Sequence, residues 1–263
     1  MPTLSTWQLL SASCLIGLIA GSFLNVCIYR LPRGESVAWP GSHCPLCQAP
    51  IAWYDNLPVL SYVLLQGKCR HCHAPISKRY PVIEATNALL WLWAAYILPV
   101  PTCFLAFLFG SALLTLSCID QEHLIIPDSI NLFIAVLGLV SLVVSSQLMW
   151  WERLLGGLVG GGFLLLLAEL AYRLWRKDAM GGGDIKLMAA AGLFLGWRLT
   201  LLALFLSSFI AIVFILIDAF VHRRFHMDKS QEIPFGPALA CACWISLLHG
   251  EAIIRAYLSF ILS

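Results

Sequence analysis

The stretch LTLLALFLSSFIAIVFILIDAF, residues 199–220, decides the fold class of this chain. Its 22 residues include a single charged side chain, Asp218. Apolar segments of about 17 to 25 residues are long enough to cross the hydrocarbon core of a bilayer. Backbone N–H and C=O groups in lipid must be hydrogen-bonded within their own segment, so such a run forms a helix. The sequence therefore predicts a transmembrane helix over residues 199–220.

Further apolar segments continue this pattern along the chain. The sequence is 60% hydrophobic and 11% charged, with a mean hydropathy of +0.85, whereas soluble domains carry about 25% charged residues. The segment at 185–197 is short for a complete crossing. We predict an all-α polytopic membrane protein with about eight transmembrane helices, near residues 8–28, 82–98, 102–119, 129–149, 154–172, 185–197, 199–220 and 237–259.

Lysine and arginine residues indicate the orientation. Arg30 and Arg33 follow the first apolar segment and no positive side chain precedes it, so this segment is not a cleaved secretory signal. Cytoplasmic loops are enriched in positive residues, which puts the N-terminus outside. With eight crossings, 13 of the 16 basic residues lie on the cytoplasmic side, at positions 30, 33, 68, 70, 78, 79, 173, 176, 177, 186, 223, 224 and 229. The net charge of +2 forms no nucleic-acid footprint, so membrane lipid is an expected partner and nucleic acid is not.

These features divide the chain into three predicted parts. Residues 1–30 form the first transmembrane helix, residues 31–80 form a cytoplasmic four-cysteine zinc module, and residues 81–263 form a seven-helix membrane core. We find no internal repeat of useful period.

The middle part contains two CxxC pairs, CPLC with Cys44 and Cys47 and CRHC with Cys69 and Cys72. Two such turns at this separation are typical of a tetrahedral zinc site with four thiolate ligands. A module of about 50 residues has little core of its own, and zinc binding can supply folding free energy. The alternative is a redox or disulfide pair, which a reducing cytoplasm disfavours.

Two aspartates are the candidate catalytic residues. Asp120 ends the third predicted span, and Asp184 opens the sixth, so the topology puts both at the cytoplasmic border of the bilayer. Two carboxylates that meet near a low-dielectric boundary do not both ionise easily, and a pair sharing one proton can act as acid and base. The residues alone leave two interpretations open, a catalytic dyad or two unrelated helix-end acids.

Asp184 follows three consecutive glycines in MGGGDIKLMAAAG, residues 180–192. Gly181, Gly182 and Gly183 remove side chains next to the carboxylate and permit backbone conformations that other residues avoid, so an extended peptide can approach closely. Lys186 lies two positions from Asp184, so on a helix it points to another face. These four residues are candidates for substrate or backbone support.

Several ordered motifs resemble those of the type IV prepilin peptidases, bacterial leader peptidase/N-methyltransferases of the GxGD membrane aspartic proteases. The motifs are GSFLNVCIYRLP (21–32), the two CxxC pairs with DNLPVLSYVLLQGKC and PISKRYPVIE around the second, IDQEHLIIPD (119–128), GGGDIKL (181–187) and IPFGPALA (233–240).

The resemblance implies that Asp120 and Asp184 are catalytic and that Cys44, Cys47, Cys69 and Cys72 bind zinc. It implies cleavage of type IV prepilin or pseudopilin leaders after a glycine, on the cytoplasmic side of the inner membrane, and then methylation of the new N-terminal residue with S-adenosylmethionine. Gly67 and Lys68 match the family's GKC stretch and are methylation candidates. The alternatives from other classes are a membrane thiol–disulfide oxidoreductase and a proton-coupled transporter.

Overall fold

A computed structural model describes residues 4–100, 102–144, 148–176, 180–221 and 234–262. The regular structure of these residues is helical apart from two isolated β-bridges, which confirms the prediction of an all-α fold. Of the basic residues counted on the cytoplasmic side, those at 177, 223, 224 and 229 lie outside the described residues. The α-helices of the described part are α1 (Leu4–Arg30), α2 (Leu60–Leu64), α3 (Arg79–Ile97), α4 (Thr102–His123), α5 (Asp128–Val144), α6 (Trp150–Trp175), α7 (Gly182–Leu195), α8 (Trp197–Val221) and α9 (Gly236–Leu262).

Five segments in the described residues are helical, long and apolar enough to cross a membrane. They are Thr6–Arg33, Thr102–His123, Trp150–Leu174, Trp197–Ile217 and Gly236–Ile261. Helix α5 is apolar but shorter, at 17 residues. Helix α7 has 14 residues and extends only about 21 Å at 1.5 Å per residue. A helix coincides with each predicted span, but the count of about eight crossings is not confirmed.

The chain divides into two compact units, Met1–Thr115 and Leu116–Ser263. In the first unit α1 packs against α3. A Cβ on Gly21 of α1 would lie 2.7 Å from the Cα of Glu84, so the two backbones meet where α1 has no side chain. Deeper in the same unit Asn87 donates to the carbonyl of Gly17 at 2.7 Å and accepts the hydroxyl of Ser111 at 2.8 Å. These buried bonds tie α1, α3 and the first half of α4 together.

Helix α7 is the central helix of the second unit, where it contacts α5, α6, α8 and α9. Small residues allow its closest contact, because a Cβ on Gly156 or Gly160 of α6 would overlap the α7 backbone at Gly192 or Met188. Close approach through small residues is a common way for helices to pack in membranes. The first turn of α7, which carries Asp184, is therefore held from several sides.

Candidate functional site

Asp120 lies in the last turn of α4 and is 6% exposed. Its Oδ2 accepts the backbone N–H of Gly236 at 2.8 Å. Gly236 is the first residue of α9, and the first N–H groups of a helix have no partner within the helix and carry a partial positive charge. The start of α9 therefore provides a ready donor for the Asp120 carboxylate. A Cβ on Gly236 would lie 2.7 Å from the same oxygen, so this approach requires glycine.

Asp184 is the third residue of α7 and is 9% exposed. It lies outside the five candidate spans. Burial, and then the negative charge of Asp120, raise the pKa of Asp184 to about 6. The structure therefore brings the two predicted carboxyl groups within electrostatic reach, although 64 positions separate them (184 − 120).

The three glycines before Asp184 differ in their surroundings, and none has a positive φ. Their backbone conformation is therefore open to other residues, and what distinguishes them is the missing side chain. A Cβ on Gly183 would lie 2.9 Å from the Cβ of Ile126, so glycine lets the segment after α4 approach the start of α7. A Cβ on Gly182 would meet nothing within 4 Å, and one on Gly181 would lie 3.3 Å from Oδ2 of Asp184. Open space beside the carboxylate is compatible with a peptide lying there.

Lys186 points away from Asp184, as its position in the helix predicts. Its Nζ donates to Oδ1 and Oδ2 of Asp128 at 2.8 and 3.0 Å, and both side chains are well exposed. An exposed ion pair of this kind contributes little to stability. A supporting role for Lys186 toward substrate stays a prediction.

The two CxxC segments form two equivalent turns, offset by 25 positions (69 − 44). In each turn the first cysteine donates its N–H to the alanine five residues on and accepts an N–H from the residue after the second cysteine. That residue has φ of 57° in both, at Gln48 and His73. The sequences CPLCQAPI and CRHCHAPI share cysteines, alanine, proline and isoleucine at the same places. They form a short internal repeat that the sequence analysis missed, because only its cysteines were compared.

The four cysteines of these turns come together. The sulfur atoms of Cys44, Cys47, Cys69 and Cys72 all lie within 4.8 Å of one another, and Cys44 and Cys72 are 3.8 Å apart. Zinc–sulfur bonds of about 2.3 Å in a tetrahedron give sulfur–sulfur distances of about 3.8 Å. The N–H groups of Cys47 and Leu46 lower the pKa of Cys44 to about 6, and that of Cys72 lowers the pKa of Cys69. Burial and the neighbouring thiols raise the pKa of Cys72 to about 11, so the fit to a metal rests on the sulfur distances. The cluster therefore fits a metal that binds thiolates.

Gly67 and Lys68 lie just before the second turn. Gly67 has φ of +68°, donates to the carbonyl of Tyr62 at 2.8 Å and accepts the N–H of Ile76 at 2.7 Å. A Cβ there would lie 3.0 Å from the Tyr62 ring. Lys68 is exposed and forms a β-bridge with Pro75. These contacts give Gly67 a conformational role, and participation of either residue in methylation stays a prediction.

Sequence reasoning missed Gly236 as a site residue. The stretch IPFGPALA contributed to the family resemblance, but no role was attached to its glycine. The only signal was Gly-Pro before an apolar run, which also fits an ordinary helix start. The contact that matters joins residues 116 positions apart, and spacing along the chain does not reveal it.

The sequence matches two family models, the bacterial peptidase A24 N-terminal domain over residues 15–98 and the type IV leader peptidase family over residues 107–216. Similar proteins named prepilin leader peptidase/N-methyltransferase occur in several bacteria. The Aeromonas salmonicida (strain A449) protein is 36% identical, covering 97% of this chain and 96% of its own length. Those of Pseudomonas aeruginosa and Neisseria gonorrhoeae are 34% and 32% identical, covering 94% and 93% of this chain and 92% of each relative. No solved structure matches.

These matches confirm the predicted family and the predicted enzyme class, a membrane aspartic peptidase with N-methyltransferase activity. Together with the five long apolar helices, they also confirm a multi-pass membrane protein. The chain belongs to the type IV leader peptidase family.

Proposed function

We infer that this protein cleaves the leader peptides of type IV prepilins or pseudopilins after a glycine, with Asp120 and Asp184 as a catalytic dyad. It then methylates the new N-terminal residue with S-adenosylmethionine. The relatives' name and their coverage of nearly the whole chain support the substrate and both reactions.

One observation carries the assignment of the dyad: two buried carboxyl groups from α4 and α7 interact with each other, and one of them accepts an N–H from the start of α9. A hydrogen bond donated to a carboxylate favours its ionised form, whereas burial beside a negative charge favours the protonated form. Burial disfavours ionisation of both groups, and their titration belongs to the pair. We assign the ionised form to Asp120, which accepts the Gly236 N–H, and the shared proton to Asp184.

The two aspartates then act as base and acid on the peptide bond. Asp120 takes a proton from water, the hydroxide oxygen bonds to the scissile carbonyl carbon, and Asp184 gives its proton to the carbonyl oxygen. When the C–N bond breaks, the proton held by Asp120 passes to the leaving nitrogen and the carbonyl oxygen returns its proton to Asp184. The products are the leader carboxyl group and a free N-terminal amine.

The reaction takes place on the cytoplasmic side of the bacterial inner membrane. With eight crossings and the N-terminus outside, 13 of the 16 lysine and arginine residues lie on the cytoplasmic side and 3 lie outside. This asymmetry is typical of membrane proteins and supports the orientation. The same orientation puts the cysteine module and both aspartates on the cytoplasmic side. In this topology the shorter helices α5 and α7 also cross the membrane, and Asp184 lies at the cytoplasmic end of α7, just before the predicted span at 185–197.

Zinc has a structural role in this proposal. Four thiolates complete the tetrahedron, so no position is left for a reactive water. The metal would hold the two equivalent turns together, and through them the segments between α1 and α3. A redox pair of cysteines is less well supported, because the four sulfurs form one cluster. Family membership supports the enzyme over a proton-coupled transporter.

Cleavage by membrane vesicles containing the protein tests the function and the side together. Incubation of cytoplasmic-face-out vesicles with a synthetic prepilin N-terminal peptide and S-adenosylmethionine is expected to release the leader, ending in glycine, and a mature peptide one methyl group heavier by mass spectrometry. Sealed vesicles of the opposite orientation are expected to leave the added peptide intact until detergent opens them. Cleavage by both vesicle types without detergent contradicts the side, and no cleavage by folded protein in detergent contradicts the function.

Metal analysis tests the zinc proposal separately. We expect purified protein to hold about one zinc ion per chain, and Cys69→Ser to lose it, since three thiolates bind the ion less well. The loss should make residues 31–80 sensitive to protease, because zinc binding supplies folding free energy. Cys241→Ser, an exposed cysteine far along the sequence, is the matched control and should retain zinc. Wild-type protein without zinc, or a Cys69→Ser variant that keeps it, contradicts the proposal.

A further inference from the structure

A large cavity lies within the first unit. Its volume is about 760 Å³, and its walls come from the end of α1, the start of α3 and the cysteine module. Ligand pockets are usually about 300 to 1,000 Å³, so a nucleoside-sized molecule fits. The wall includes Asn25, Val26, Trp39 and Tyr62, together with the acidic residues Glu35 and Glu84.

One buried polar atom in the wall has no partner. Asn25 is 2% exposed, and its Nδ2 donates to the carbonyls of Gly21 and Tyr80, both at 3.3 Å. Both partners are acceptors, so the amide orientation is fixed with Oδ1 as the remaining group. Among the described residues nothing donates to this oxygen. A buried acceptor without a donor is costly, and a ligand amino or hydroxyl group in the cavity would satisfy it.

The charges of the wall favour a cation. Arg30 is occupied by the backbone carbonyls of Ser36 and Pro40, at 2.9 and 2.7 Å. Arg70 is occupied by Asp55, at 2.7 Å from Nε. Glu84 accepts the N–H of Val59 at 2.7 Å and a hydrogen bond from the Ser22 side chain. Among the described residues, neither Glu35 nor Glu84 forms an ion pair with a basic side chain. Aromatic faces at Tyr62 and Trp39 add attraction for a positive centre.

We propose that this cavity is the methyl-donor site and binds S-adenosylmethionine, an inference that rests on the proposed methyltransferase activity. Asn25 Oδ1 accepts from the donor's amino or hydroxyl groups, the carboxylates of the wall face its net positive charge, and the Tyr62 ring packs against it. The position of Gly67 then has a reason, because a side chain there would push the Tyr62 ring. The donor is held by the module that the two cysteine turns build.

The methyl transfer needs no further reactant. The lone pair of the neutral N-terminal amine forms the new N–C bond, the C–S bond breaks, and its electrons stay on sulfur. The positive charge passes from the sulfonium to the methylated nitrogen, and S-adenosylhomocysteine is left. An α-amino group with a pKa of about 8 is partly neutral near pH 7, so the cavity has only to hold and orient the donor.

The test is binding of S-adenosylhomocysteine to full-length protein in detergent by calorimetry, with prepilin cleavage measured on the same samples. Val26→Trp fills the cavity from α1 and is expected to raise the Kd by at least about tenfold, while cleavage continues. Phe23→Trp is the matched control, three positions earlier on an exposed part of α1, and should bind normally. Tyr62→Ala should also weaken binding, and Tyr62→Phe should restore it, since the ring rather than the hydroxyl is needed.

The outcomes separate the site from the activity. Normal binding by both Val26→Trp and Tyr62→Ala overturns the cavity as the donor site, even if the wild type binds and methylates. A wild type that cleaves but neither binds the ligand nor methylates overturns the methyltransferase half of the proposed function and this inference with it. Loss of both cleavage and zinc would show that Val26→Trp fails to fold. In that case, binding of S-adenosylhomocysteine by Tyr62→Ala and Tyr62→Phe decides whether the cavity is the donor site.

Discussion

Asparagine in place of Asp120 or of Asp184 is expected to lower the rate of leader cleavage on the order of 1,000-fold, the usual scale of acid–base catalysis. An amide neither takes a proton from water nor holds the shared one. Asparagine has nearly the shape of aspartate, so packing around both buried positions is preserved. The effect should appear in kcat, because both groups act on the reacting bond, and binding of the leader should change little.

The matched control is Asp128→Asn. This acid begins α5 and forms an exposed ion pair with Lys186, so its loss should leave cleavage near the wild-type rate. Initial rates on a synthetic prepilin peptide, with zinc content as a check of folding, are the measurement. A folded Asp120→Asn or Asp184→Asn protein that retains a tenth or more of the wild-type rate, by an order-of-magnitude criterion, would rule out the dyad.

Gly236→Ala is expected to reduce cleavage on the order of 100-fold, as displacement of a catalytic group by about 1 Å can do. The new methyl group would lie 2.7 Å from Oδ2 of Asp120, closer than carbon and oxygen approach without bonding. The carboxylate or the start of α9 must then shift, and the hydrogen bond from the Gly236 N–H is lost. Without this donor the ionised form of Asp120 is less favoured, so the base is weakened as well as displaced.

Gly162→Ala is the control for this substitution, because a Cβ at Gly162 meets nothing within 4 Å. Alanine inside α6 should keep or raise helix stability. A comparison of kcat and KM for the two variants distinguishes a local change at the aspartates from a general change in helix packing. Wild-type kcat in Gly236→Ala would contradict the role given to the start of α9.

The sequence alone was enough to predict the helices and to select the candidate site residues. Apolar segments such as residues 199–220 predict helices, because in lipid the backbone N–H and C=O groups can form hydrogen bonds only within their own segment. The CxxC spacing identified the four cysteines that the structure clusters, because two ligands on one turn are a local property. The structure also brings Asp120 and Asp184 into electrostatic contact, whereas their catalytic role stays a prediction.

Contacts between distant segments were beyond the sequence. Nothing in the order of residues says that Gly236 donates to Asp120 or that Gly183 faces Ile126. The triple glycine suggested an unusual backbone, but the packing uses the missing side chain of Gly183 instead. The number of crossings was equally hard to fix, because α7 is buried by its neighbours and does not need the length of a helix that faces lipid on its own.

The hydrogen bond from Gly236 to Asp120 also bears on how the protein is made. Asp120 emerges from the ribosome 116 positions before its donor Gly236, which begins α9. A nascent chain that has inserted α4 and α7 still has a carboxylate without this donor. Asp120 therefore receives this hydrogen bond only after the start of α9 has been synthesised, so a nascent chain without α9 lacks the donor of the proposed base.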